Sequence, residues 1–189
     1  MNSNEIDDWI NAGRLAKNIL DKAISVVKPG EKIINICEFI EKEIIKRDAK
    51  PAFPVNVSIN NVAAHYTSPP TDVSRIPSKA LVKLDMGVNL NGAIADTAIT
   101  INIGGGKVLS RIIKANKRIL EEVIEIMKDG IKVKEISKKI WDLSHELGYG
   151  VLVDLGGHEL RRGILHAGLF IPNHPRVVGK WNKKLREEG

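Results

Sequence analysis

The sequence predicts an α/β fold, of the α+β kind, built from two copies of one unit, with the second copy incomplete. Three observations carry this: an amphipathic helix pair near the N-terminus, a second such pair after residue 107, and a long β-hairpin between them at 81–103. At an offset of one hundred residues Ile19-Leu20 recurs as Ile119-Leu120, Ile24 as Ile124, Ile36 as Ile136 and Ile40 as Ile140. Helical periodicity alone would match some apolar positions. It would not also align Lys28, Gly30 and Lys32 at the break with Lys128, Gly130 and Lys132, so the pairs read as an internal duplication. The first repeat covers about 5–106 and the partial second about 107–189, one incomplete domain over 1–189.

In chain order, residues 5–28 carry Ile6, Trp9, Ile10, Leu15, Ile19, Leu20, Ala23, Ile24 and Val27 as a helical stripe that Pro29-Gly30 terminates. A second helix is expected over Asn35–Arg47. The following PAFPVNVSINNVAAHYTSPP, with prolines, asparagine turns and β-branched runs, predicts strand pieces and loop. Residues 81–103, LVKLDMGVNLNGAIADTAITINI, form the hairpin, and Asn91-Gly92 signals a two-residue turn. With that turn Leu90 faces Ala93, Asp85 faces Ala98 and Asp96 faces Gly87. Side chains alternate with period two, so Asp85 and Asp96 share a face as diagonal neighbours. Gly104-Gly105-Gly106-Lys107 fits neither phosphate-loop pattern and reads as a connection. Helices over Val108–Met127 and Lys134–Leu147 follow, and then VLVDLGGHELRRGILHAGLFIPN, with His158 and His166. By the repeat, a second hairpin should begin where the sequence stops at Gly189.

Composition narrows the function classes. At 189 residues, 43% hydrophobic and 28% charged, the chain reads as a soluble globular protein. It shows no signal-peptide start and no apolar run of the ~20 residues that span a bilayer, so a cytoplasmic location and no membrane partner are expected. The only cysteine, Cys37, lies within a helical pattern and reads as a small buried hydrophobe. The net charge of +6 is spread, with a mild excess near Lys180, Lys183 and Lys184, and implies no specific nucleic-acid partner.

The chemistry concentrates in Asp85, Asp96, His65, His158 and His166. Two like charges on one face are costly unless a cation lies between them, and Lys83 alone shares their parity within the hairpin. A divalent metal, or two, answers this. Two solvated carboxylates on an exposed face, or a turn of odd length that sends them to opposite faces, are the plain alternatives. Two carboxylates and an imidazole suit Mn, Fe, Co or Zn but are too few to enclose two ions. His145 reads as a helix-surface residue and His174 as part of a Pro-flanked loop.

The strings PAFPVNVSINNVAAHYT, KLDMGVNLNGAIADTAIT, GGH and LHAGLFIPN resemble, in order and spacing, the signature segments of the type 2 methionine aminopeptidases, particularly the archaeal ones. The resemblance runs from the first helix to about Asn173. It implies the pita-bread fold, two pseudo-symmetric halves around a dinuclear metal centre, with two divalent ions (Co, Mn, Fe or Zn). Of that family's five ligands, Asp, Asp, His, Glu and Glu, the first three fall on Asp85, Asp96 and His158. Its two substrate-contacting histidines fall on His65 and His166, and Phe53 matches a wall of the methionine pocket. The implied activity is removal of the N-terminal methionine from nascent proteins, with nascent N-termini at the ribosome as partners.

The departure is C-terminal. In the family a segment like LREEG leads into a strand bearing the fourth ligand, and Glu187 and Glu188 precede that strand. The expectation is therefore a truncated chain, inactive alone, for which a complementing C-terminal fragment would be a partner. The alternative from another class is a non-catalytic pita-bread protein that binds ribosome or RNA. Retention of Asp85, Asp96, His158, His65 and His166 speaks against it, because a scaffold has no use for a costly carboxylate pair.

Overall fold

The computed structural model describes residues 3–177 and 183–185, so the expectations placed on Lys180, Glu187, Glu188 and Gly189 lie outside the described residues. The chain divides into two compact units, 1–110 and 111–189. The first holds helices α1 (Ser3–Ala23) and α2 (Ile33–Ile45) and strands β1 (Lys50–Pro51), β2 (Asn56–Ile59), β3 (Ala80–Leu90) and β4 (Ala93–Ile103). Helix α3 (Gly106–Ile126) runs through the division, and α4 (Val133–Glu146), β5 (Gly156–His158) and β6 (Phe170–Pro172) follow. No helix among the described residues is long and apolar enough to cross a membrane.

The predicted register of the hairpin is the observed one. Leu90 pairs with Ala93, Asp85 with Ala98 and Gly87 with Asp96, and the turn at Asn91 (φ 54°) and Gly92 (φ 90°) takes the left-handed values a type I′ turn requires. On β3 the alternation separates two faces. Ala80, Val82, Leu84, Met86 and Val88 are fully buried, on the side of the strand away from Lys83 and Asp85. They join Ile19, Ile36, Ile40 and Ile44 of the helices in one core. Each such side chain contributes about 1.5–3 kcal/mol by leaving water. β2 and the short β1 both pair antiparallel with β3. The opposite face of β3 thus collects Lys83, Asp85 and Gly87 together with Asn56 and Ser58 of β2 and Asp96 of β4.

The helix expected over 5–28 is shorter than its pattern. α1 ends at Ala23, and Ile24–Val26 tighten into a 3₁₀ turn before Val27 turns extended (φ −81°, ψ 98°). Pro29 disfavours helix at the residue before it, and the local run of β-branched residues weakens the last turn. Cys37 is buried, with its thiol directed at the Val55 carbonyl (3.6 Å), and burial pushes its pKa up to about 11.

The duplication is visible in backbone bonding. Gly30 and Gly130 both have left-handed backbone (φ 82° and 79°), and Lys32 and Lys132 precede their helices at φ, ψ of −73°, 138° and −81°, 137°. In the first unit Gly30 N–H donates to Ile76 (2.8 Å), Ile76 N–H to Glu31 (2.9 Å) and Ile33 N–H to Ser74 (3.0 Å). In the second, Gly130 N–H donates to Leu185 (3.0 Å), Leu185 N–H to Ile131 (2.9 Å) and Val133 N–H to Lys183 (2.9 Å). The same short antiparallel bridge forms twice.

Candidate metal centre

In the first unit the two carboxylates sit where the alternation puts them, on the face of β3 and β4 opposite the core. Asp85 is half-buried and Asp96 exposed. Burial pushes the Asp85 carboxyl above its ordinary range, and the charge of Asp96 pushes it further. A hydrogen bond from Asn56 and the charges of His65 and Lys83 pull the other way. Lys83 is itself lowered by burial, with Asp85 raising it. At Asp85, burial and Asp96 thus outweigh Asn56, His65 and Lys83. An all-oxygen carboxylate pair in that state fits a divalent cation, which removes the repulsion that burial amplifies.

His65 lies in the irregular loop between β2 and β3, exposed, with left-handed backbone (φ 65°). That conformation is uncommon for a residue with a Cβ and is held by its surroundings. Phe53, half-buried, lies between β1 and β2, and its ring stands over Gly87. A Cβ built on Gly87 would come within 2.5 Å of the ring and 2.8 Å of the Ala52 Cβ. Gly87 is thus what allows the Phe53 ring so close to the carboxylate strands. Sequence reasoning did not single out Gly87, Asn56, Thr67 or Asp72. The signal for Asn56 was available, since a polar residue interrupts an apolar strand at the position that faces Asp85.

In the second unit His158 ends β5, opposite Phe170 of β6. The intervening loop folds back on itself. Arg161 and Ile164 exchange backbone bonds of 3.0 and 2.8 Å, Ala167 N–H donates to Glu159 (3.0 Å) and Glu159 N–H to Leu169 (2.9 Å). The Glu159 carboxylate accepts from Leu169 N–H (2.9 Å) and Arg161 Nε (2.8 Å), and the Leu169 bond chiefly holds its pKa low. The outcome is that His158 and His166, eight residues apart in sequence, bring their ring centroids to 4.3 Å at 48°. His145 lies exposed on α4 as expected, but its ring packs on Trp141 (centroids 3.8 Å), which His174 also meets at 4.1 Å.

The structure thus assembles Asp85, Asp96, His65 and Phe53 in the first unit and His158 with His166 in the second. Among the described residues, no three His, Cys, Asp or Glu side chains form a cluster that would hold a metal ion by itself.

The sequence matches the model of metallopeptidase family M24 over residues 9–188, and the chain belongs to that family. Its fold is the family's pita-bread fold: a methionine aminopeptidase structure from Thermotoga maritima superposes with a TM-score of 0.85 at 24% identity, covering 92% of this chain and 72% of that one. The methionine aminopeptidase of Pyrococcus abyssi is 39% identical over 183 residues, 97% of this chain and 61% of that protein. That of Methanothermus fervidus is 39% identical over 191 residues, 95% of this chain and 100% of the relative. The chain spans about three fifths of the length of the P. abyssi relative.

Proposed function

We propose that these residues belong to a methionyl aminopeptidase that removes the N-terminal methionine of nascent proteins in the cytoplasm, at or near the ribosome. The observation that carries the reading is the half-buried Asp85 beside Asp96 on one sheet face, a like-charged pair in which burial and the Asp96 charge raise the Asp85 carboxyl. By the family likeness Asp85, Asp96 and His158 would be metal ligands, for two divalent ions of Co, Mn, Fe or Zn. Such ions, when bound, polarise the scissile carbonyl and acidify water. His65 and His166 orient the substrate and donate to the carbonyl oxygen where negative charge develops. Phe53 forms one wall for the methionine side chain.

Calorimetric titration with Mn(II) or Co(II) tests the ligand assignment: the wild type binds and Asp85→Asn and Asp96→Asn do not. Heat of binding that is unchanged in both variants would remove the carboxylate pair from the site.

A further inference from the structure

We propose that Asn56, set by Thr67, is a positioning residue that fixes the orientation of Asp85 and couples it to the loop that carries His65. The purpose assigned to this relay rests on the metal-centre reading above.

Asn56 is 8% exposed on β2, and a buried carboxamide must satisfy an acceptor at one end and donors at the other. The Thr67 hydroxyl donates to Asn56 Oδ1 at 2.6 Å. With its oxygen so engaged, the amide turns its NH₂ the opposite way. β2 and β3 pair Asn56 directly with Asp85, and the Asn56 side chain hydrogen-bonds the carboxylate there. The donor end of the amide therefore faces the acceptor-only group. Without the Thr67 hydroxyl the amide can flip, which would set its oxygen against the carboxylate.

Thr67 is itself held in place. Val57 N–H donates to the Tyr66 carbonyl (2.8 Å) and ties the loop to β2. Asp72 gathers the rest: it accepts from the Tyr66 hydroxyl (3.0 Å), the Ser68 hydroxyl (2.6 Å) and Ser74 N–H (2.8 Å). These bonds, that of Ser68 foremost, hold the Asp72 carboxyl far below its usual range, so it is a permanent anionic acceptor. His65, with its left-handed backbone (φ 65°), immediately precedes Tyr66 and Thr67. One chain of bonds thus runs from the residues that follow His65, through Thr67 and Asn56, to Asp85.

Thr67 is exposed, so its substitution leaves the core intact. In the metal-free 189-residue protein, the Asn56 side-chain amide protons should appear by NMR as a well-separated pair with one proton shifted downfield by the carboxylate. Thr67→Ser, which keeps the donor, retains that signature; Thr67→Val and Asp85→Ala lose it. Mn(II) titration by calorimetry then reads the consequence: about tenfold weaker binding in Thr67→Val, the size typical of a lost outer partner of a ligand, and wild-type binding in Thr67→Ser. A Thr67→Val protein with the wild-type amide signature, or with the signature lost and Mn(II) affinity unchanged, would overturn the proposal. If the wild type takes up no Mn(II), the metal reading fails, and the amide signatures of the Val, Ser and Asp85→Ala proteins decide the relay on their own.

Discussion

The two helix pairs show how one sequence pattern can have two different burials. Leu20 is 6% exposed, and its counterpart Leu120 is 57% exposed; Ile24 and Ile124 stand at 37% and 57%. Ile19 and Ile40 are wholly buried, while Ile119 and Ile140 are only partly so. The helices are equally long at 21 residues in α1 and α3, so the helix is not what differs. α1 lies against β3 and β4, and among the described residues no comparable 11-residue hairpin follows α4. An apolar stripe is an offer of burial, and the sheet decides whether it is taken up. The junction between the helices of each pair differs as well. Lys22 of α1 meets Glu43 of α2 (3.1 Å), whereas Glu122 of α3 meets Lys139 of α4 (2.7 Å). Position 22 is matched at 122 by the opposite charge, but the partners differ in place, since Glu43 corresponds to Leu143 and Lys139 to Phe39.

The largest effect that would sharpen this contrast lies in matched truncations. Leu20→Ala should cost about 2–5 kcal/mol, as buried leucines do, while Leu120→Ala should stay within about 0.5 kcal/mol. Urea unfolding followed by circular dichroism measures both. Equal losses would mean that α3 has a cover equivalent to that of α1. Next come two adjacent glycines of β5. A Cβ on Gly156 would lie 2.2 Å from the Ile171 carbonyl oxygen, a backbone atom that cannot move aside, whereas one on Gly157 meets nothing closer than 3.8 Å. Gly156→Ala should therefore cost about 1–3 kcal/mol and Gly157→Ala little, by the overpacking rule, with faster amide exchange in β5 and β6 for the first alone.

The hairpin register and the break at Gly30 and Gly130 were legible because short-range chemistry fixes them. Asn91-Gly92 admits one turn, the turn sets every pair from Leu90 outward, and period two then sets the faces. His158 and His166 were legible as a pair only through family likeness, since their meeting depends on the Glu159 carboxylate and the Arg161–Ile164 turn, which no periodicity announces. The Asn56, Thr67 and Asp72 bonds were not legible for a related reason. They join residues of an irregular loop to a neighbouring strand, and such contacts follow from the path of the loop. The end of α1 at Ala23 was overrun because the apolar stripe continues through Ile24 and Val27 while the backbone has already tightened.

A smaller effect separates the two ion pairs by pH. Lys46, Lys22 and Arg47 draw the Glu43 carboxyl down to about 2 from an ordinary 4.5. A lowered carboxylate stabilises the fold above its unfolded value and loses that contribution as pH falls towards the folded one. Between about pH 4.5 and 2 the wild type should therefore lose more stability than Glu43→Gln. Glu122, lowered by Lys139 and Arg118, has the same sign, and its side chain is more open, 28% exposed against 10% for Glu43, so Glu122→Gln should flatten the acid limb less. Thermal midpoints at stepped pH give the comparison, and a steeper acid loss in Glu43→Gln would contradict the assignment.

The smallest effect has the opposite sign and belongs to the site. Burial and Asp96 raise the Asp85 carboxyl, so in the metal-free protein its ionised form opposes folding, and stability falls as pH rises through the raised value. Asp85→Asn carries no such charge and keeps the hydrogen-bonding shape. Without metal it should be slightly more stable than the wild type near pH 7, with the difference vanishing in acid. With Mn(II) present the order should reverse, because only the wild type gains from binding. A metal-free Asp85→Asn protein that melts below the wild type at pH 7 would mean that Asp85 is held in place for the sake of the fold, and the carboxylate pair would lose its standing as a site under electrostatic strain.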